Sequence, residues 1–287
     1  MKGLFYEFLV RMSRLTGPWF VALFAWFVSS GFFLFRPGMV ARNVSFFRSV
    51  FPEKGFPAIL GIVLRQFHHF ATVFADRVRL ARNESFTWEV AGMEGFKKHT
   101  SQGRGGIFLM SHFGNWEIAA RLFARKGFPL VLHLGEKQKE QIERKQKRDL
   151  ARDGVQVVSA SAEGGSPFDL LESVRVLREG GFVSIAGDRI QSEGQRRVEA
   201  LFFGRKVNVP VAPHLLAMKA GVPIFTLFTV RLNPLQYKIL LGEPYFVPRP
   251  GAHESREEAL RRSVAHYLGE VEEMVRKHPE HWYRFDT

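Results

Sequence analysis

Two kinds of apolar pattern divide the chain. Up to residue 82 the apolar residues come in long blocks at helical spacing. Residues 15–35, LTGPWFVALFAWFVSSGFFLF, carry no charge over 21 positions, about the length that crosses a bilayer core. Pro18 suits a first helical turn, and Ser29, Ser30 and Gly31 are tolerated inside an apolar helix. Residues 57–82 predict a second helix, in which Ile59, Ile62, Val63, Gln66, Phe67, Phe70, Val73 and Phe74 recur at the helical period with one polar break. Arg77, Arg79 and Arg82 gather in its last turn, where the helix dipole favours cations. The adjacent His68 and His69 point to two faces of that helix, which suits packing or an interface better than a shared metal.

From residue 83 the texture changes. Short apolar runs at 87–90, 106–110, 130–134, 155–158, 182–186, 198–202, 224–230 and 238–241 read as strands. Helical patterns fall near 93–100, 115–126, 137–152, 168–178, 211–220 and 255–277. The alternation predicts an α/β fold, a central and mostly parallel mixed sheet flanked by helices. In such sheets ligands bind beyond the carboxyl ends of the strands. The expected organisation is a basic, apolar helical membrane-anchoring region over 1–82 and an α/β domain over 83–287.

Charge sharpens this division. The 287 residues hold 41 Lys+Arg against 28 Asp+Glu, a net +13. Residues 1–82 contain 11 Lys/Arg and 3 Asp/Glu, so +8 sits there and only +5 on the other 205 residues. A nucleic-acid binder needs its charge on the folded domain, whereas a basic, Phe-rich first segment suits anionic lipid. Cations flank residues 15–35 on both sides (Lys2, Arg11 and Arg14; Arg36, Arg42 and Arg48), so charge asymmetry gives no orientation. A true span and an anchor held on one leaflet both fit, the second being favoured. A cleaved signal peptide is disfavoured by the length of the apolar run.

Cysteine is absent, which excludes a disulfide scaffold, a Cys-ligated metal and a thiol nucleophile. The Gly-x-Ser-x-Gly elbow, the His-Glu-x-x-His zinc helix and the Gly-x4-Gly-Lys-Ser/Thr phosphate loop are absent too.

Candidate chemistry concentrates after the strand at 106–110, which runs into Ser111-His112-Phe113-Gly114-Asn115-Trp116-Glu117. Asn115 fits an N-cap, and Glu117 then falls in the first helical turn. Five residues apart within one helix, His112 and Glu117 would point about 140° apart. With His112 in the turn before the helix, the chain can fold back and bring the carboxylate to the imidazole. A carboxylate on one ring nitrogen fixes the tautomer and raises the basicity of the other, as a general base acting on a hydroxyl requires. The plainer alternative is a structural His beside an ordinary helix-dipole Glu.

The His-x4-Glu arrangement, written HFGNWE here, resembles the bacterial late acyltransferases of lipid A biosynthesis and the wider His-x4-Asp/Glu glycerolipid acyltransferases. GGFVSIAGDR (180–189), FFGRKVNVPVAPHLLAMKAGVPIF (202–225) and the terminal HWYRF (281–285) resemble further blocks of that family in the same order. The chain departs from the pattern at Arg189, in the charged loop 190–197, and in VNVPVAP where a Thr-rich run is usual.

The resemblance implies that His112 takes a proton from an acceptor hydroxyl, with Glu117 orienting it, while the oxygen attacks an acyl thioester. It implies no cofactor and no metal, and a co-substrate that is acyl carrier protein or coenzyme A carrying the acyl chain. Asp188 and Arg189 would enter the same crevice, where Arg189 could hold a phosphate by a two-pronged contact. Asn115 would either cap its helix or assist the developing oxyanion.

The charged helix at 136–152, with seven Lys/Arg and four Asp/Glu, reads plainly as a solvated face with pairs such as Glu140–Arg144. The resemblance instead makes Arg144 and Arg148 candidates for contact with the carrier protein or with acceptor phosphates. The implied partners are membrane lipids, acyl carrier protein and a lipid or glycolipid acceptor, with no nucleic acid, at the cytoplasmic face of a bacterial inner membrane. A lipid A precursor is the first acceptor; a lysophospholipid or a specialised lipid is the alternative. A non-catalytic lipid-binding module is a further one, against which His112 and Glu117 both argue.

Overall fold

The computed structural model describes residues 11–13, 15–82, 84–135, 148–160, 167–190, 194–251 and 254–284. The first elements described end to end are α1 (Pro18–Phe35), α2 (Pro37–Val50) and α3 (Phe56–Ala81). Each has Pro in its first turn, where the missing N–H is no loss. Among the described residues only α3 is by itself long and apolar enough to cross a membrane; α1 and α2 reach that measure together but are bent by 87° at their junction. The apolar pattern does not predict α2, because its cations interrupt the hydrophobic run. It folds because Phe46, Phe47 and Val50 reach the core.

The sheet follows the predicted alternation. Its strands are β1 (Thr87–Ala91), β2 (Gly106–Met110), β3 (Leu130–Gly135), β4 (Gln156–Ala160), β5 (Phe182–Ala186), β8 (Ile224–Asn233) and β9 (Gln236–Leu241). A separate antiparallel hairpin is formed by β6 (Arg197–Phe202) and β7 (Arg205–Pro210). The helices between strands are α4 (Met93–Thr100), α5 (Trp116–Arg125), α6 (Pro167–Arg178) and α7 (Ala212–Ala220), and α8 (Arg256–Lys277) follows the sheet.

Among the described residues the sheet has the order β1-β9-β8-β2-β5-β3-β4, and only β8 and β9 run antiparallel. Strand β7 lies outside the predicted set, since RKVNVP carries two cations and a Pro. Its pairing is made by the turn, in which Phe203 and Gly204 both take positive φ (49° and 74°), as a two-residue hairpin demands.

Successive residues of β2 face opposite layers. Ile107 and Leu109 pack with α2, α3, α7 and α8, while Phe108 and Met110 join Phe96, Phe123, Phe182 and Phe225 on the other side. Helices α2 and α3 thus share one core with the sheet. Polar ties reinforce them. Gln66 Nε2 donates to the Trp282 carbonyl (2.6 Å), His69 Nδ1 meets the Tyr283 hydroxyl (2.7 Å), and the Tyr237 hydroxyl donates to Asp76 (2.5 Å). Asp76 also pairs with Arg231 at 2.7 Å.

Helix α8 begins at Ser255, whose side chain and Glu258 form a reciprocal capping box. Its buried Tyr267 hydroxyl donates to the Met110 carbonyl at the end of β2 (2.9 Å). Met110 keeps a second donor in Gly187 N–H, so Tyr267→Phe is expected to lower unfolding free energy by only about 1 kcal/mol. Denaturant titration of the two proteins checks this, and a change near zero would show that the hydroxyl does not brace β2.

Candidate active site

Strands β2 and β5 are parallel neighbours with Met110 opposite Ala186. Two residues beyond each of these stand His112 and Asp188, so equal offsets bring them together past the carboxyl ends. Nδ1 of His112 lies 3.0 Å from both Asp188 oxygens, and the His112 backbone N–H donates to Oδ2 at 2.9 Å. Asp188 is 1% exposed, whereas the His112 side chain is 37% exposed. The carboxylate is therefore enclosed and the imidazole reaches out of the crevice, with Nε2 left for a substrate.

Burial pushes the Asp188 carboxyl up, but the His112 imidazole and backbone N–H, with the Arg284 guanidinium, outweigh it and hold the carboxyl below its ordinary value. As pH falls, the unfolded chain thus binds the proton before the native one. The stability from this pair is full above the ordinary carboxylate range near about 4 and is lost as pH drops through the lower native value. Urea titrations at descending pH are expected to show a steeper acid loss for wild type than for Asp188→Asn. Equal slopes would contradict the assignment.

The turn carrying His112 is held on several sides. Gly114 has φ +65°, and a Cβ there would meet the Thr229 carbonyl oxygen at 1.9 Å, so only glycine fits. The C-terminal residues run alongside as a strap: Tyr283 N–H donates to the His112 carbonyl (2.7 Å) and Gly114 N–H to the His281 carbonyl (2.8 Å). Arg284 donates to the Asp188 carbonyl.

The expected pairing of Glu117 with His112 does not appear in this geometry. The carboxylate on the imidazole is Asp188, while Glu117, buried in the first turn of α5, receives Arg77 Nε at 3.2 Å and Arg121 at 2.9 Å. In the first turn of α5, which starts at Trp116, Glu117 meets Arg77 of α3. Asn115 occupies the N-cap position but its buried side chain makes no cap hydrogen bond.

Arg189 lines a cavity of about 560 Å³ with Arg197, Arg205, Lys206 and Arg284. Arg148 is exposed before β4, and Arg144 lies outside the described residues. The pattern singled out neither Arg284 nor Tyr267 as supports of the site; their roles come from contacts across the fold, and only the HWYRF block hinted at the first.

Among the described residues His278, Glu280 and His281 form a group of possible metal ligands. His281 Nε2 accepts from Arg231 N–H (3.0 Å), so the neutral ring carries its proton on Nδ1, which faces Glu280 at 3.2 Å. Burial raises the Glu280 carboxyl, but the hydrogen bond from His281 brings it down to about 2. The Glu280 carboxylate thus already faces the His281 ring, and a cation would have to displace the Nδ1 proton.

A family model described as bacterial lipid A biosynthesis acyltransferase matches residues 20–286. The chain belongs to this family. A search of curated proteins finds no match. Membership makes the chain an acyltransferase and points to lipid A biosynthesis. The family is usually membrane-associated, and α3 is the helix here with the length and composition to cross a bilayer.

Proposed function

We propose that the chain is a membrane-bound O-acyltransferase that moves a fatty acyl group from an acyl thioester to a hydroxyl of a lipid A precursor or related glycolipid. The observation that carries this reading is the His112–Asp188 pair at 3.0 Å in a chain of this family. Asp188 keeps the proton on Nδ1, so Nε2 takes the proton of the acceptor hydroxyl as its oxygen attacks the thioester carbonyl. The C–S bond then breaks, and the imidazolium returns the proton to the departing thiolate. Asp188 offsets the positive charge that His112 carries between these steps. Glu117 is a positioning residue that ties α5 to α3 through Arg77.

The acceptor side is the cationic cavity, whose Arg189 and Arg284 adjoin Asp188. Five cations and no carboxylate line it, which suits a phosphorylated headgroup. Acyl carrier protein is the donor we favour, with Arg144 and Arg148 in its docking surface; Asn115 assists the oxyanion. Residues 1–82 serve as the membrane-anchoring region and 83–287 as the acyl-transfer domain, on the cytoplasmic face of the inner membrane. At 1.5 Å per residue the 18 residues of α1 span about 27 Å, short of a bilayer core of about 30 Å. That length and the sharp bend after it favour an anchor in one leaflet.

The test offers acyl carrier protein and coenzyme A thioesters to the detergent-solubilised protein, with a phosphorylated glycolipid, its dephosphorylated form and a lysophospholipid as acceptors. Transfer to the phosphorylated glycolipid is expected. Transfer to the lysophospholipid alone would move the acceptor class, and no transfer to any of them would overturn the reading.

A further inference from the structure

Outside the crevice, the helical region holds a second cavity of about 670 Å³. Phe33, Val40, Val44, Phe56 and Leu60 give it an apolar lining, its two charged lining residues are Arg48 and Arg205, and it has no acid. It shares no residue with the His112 turn. It sits at the bend between α1 and α2, next to side chains that water would not favour: Leu34 is 68% exposed, Phe35 82% and Phe56 51%. An exposed apolar patch of this kind marks a membrane or partner surface.

The two arginines are placed differently. Arg48 is exposed and lies over the Phe56 ring at 5.9 Å. Arg205 is fixed by Ser45, whose hydroxyl accepts from it at 2.8 Å, and it also lines the cationic cavity. An apolar slot bearing two cations complements one chemistry: an alkyl chain attached to an anionic headgroup. The family is usually membrane-associated, which favours a lipid over a soluble partner, and a neutral lipid would leave both arginines without a counter-charge.

We infer that this groove binds one anionic phospholipid of the bilayer, an acyl chain between α1, α2 and α3 and its phosphate on Arg48 and Arg205. The bound lipid sets the depth and tilt of the domain on the membrane. The inference rests on the membrane-bound reading above; the acceptor headgroup has the cationic cavity, which shares Arg205 but not Arg48 with this groove.

The test uses the full chain purified in detergent. Lipid retained by the protein is read by native mass spectrometry, and binding by flotation with vesicles of phosphatidylcholine alone or mixed with phosphatidylglycerol. Wild type is expected to retain one phosphatidylglycerol and to prefer the mixed vesicles. Arg48→Gln and Arg205→Gln are each expected to weaken that preference about five-fold, the effect of one cation near an anionic surface. Ala41→Trp, at an exposed lining position, should fill the groove and abolish lipid retention with an unchanged melting temperature, while flotation persists. Arg178→Gln, an exposed cation on α6, controls for general charge.

Equal losses in Arg178→Gln and Arg205→Gln, or lipid retained by Ala41→Trp, would overturn the site and leave membrane binding intact. Failure to float with either vesicle would overturn the membrane reading and this inference together.

Discussion

Asp188→Asn is expected to fold like wild type and to lose about 10²–10⁴-fold in kcat, with KM little changed. The amide is close in shape to the carboxylate and can keep the backbone hydrogen bond from His112, so the turn survives. Two things are lost. The negative charge that offsets the imidazolium disappears, and an amide NH₂ turned toward Nδ1 would favour the tautomer with the proton on Nε2. That tautomer cannot take a proton from the acceptor.

Glu117→Gln is the informative partner experiment. Its carboxylate is only 3% exposed and balances Arg77 and Arg121. Removing one member of a buried ion pair destabilises by about 3–5 kcal/mol, so melting temperature should fall while the folded fraction keeps a kcat close to wild type. Steady-state kinetics beside thermal unfolding separates the two variants. Should Glu117→Gln lose kcat at an unchanged melting temperature while Asp188→Asn stays active, the roles given to the two carboxylates would have to be exchanged.

The reason for this reversal lies in which contacts a linear pattern can express. Strands β2 and β5 are legible with their observed ends, because their short apolar runs are bounded by Gly and by polar turns. His112 and Asp188 are legible as crevice residues for the same reason: each follows such a strand. Their pairing is not, since it depends on β5 lying beside β2, although β3 and β4 come between them in the chain. One partner of Glu117 is Arg77, forty residues upstream, on a helix whose last-turn cations read as ordinary dipole charges. Helix α2 and strand β7 escape for a local reason. Both carry cations between their buried positions, and what orders them is the Phe cluster and the turn at Phe203–Gly204.

The C-terminal strap gives the second large effect: Trp282→Ala is expected to cost about 3–5 kcal/mol of stability. Trp282 is 0% exposed. Its ring stacks on Phe46 at 6.2 Å and meets Phe202 at 5.5 Å, and its backbone pairs with Phe113, so it joins α2, the β6–β7 hairpin and the His112 turn at one point. Truncation leaves a cavity that those aromatic rings cannot collapse into, because each is fixed by its own element. Trp282→Phe keeps an aromatic face and should cost less than half as much.

The same change should reach the chemistry. His281 and Tyr283, on either side of Trp282, hold Gly114 and His112 by their backbones. With the ring gone the strap loses its anchor, and kcat should fall in the fraction that remains folded, as a small misplacement of catalytic groups does. Chemical denaturation and kinetics at a temperature where both proteins are folded give the two readouts. Lost stability with unchanged kcat would mean that β2 and β5 alone hold the catalytic turn and that the strap serves only the core.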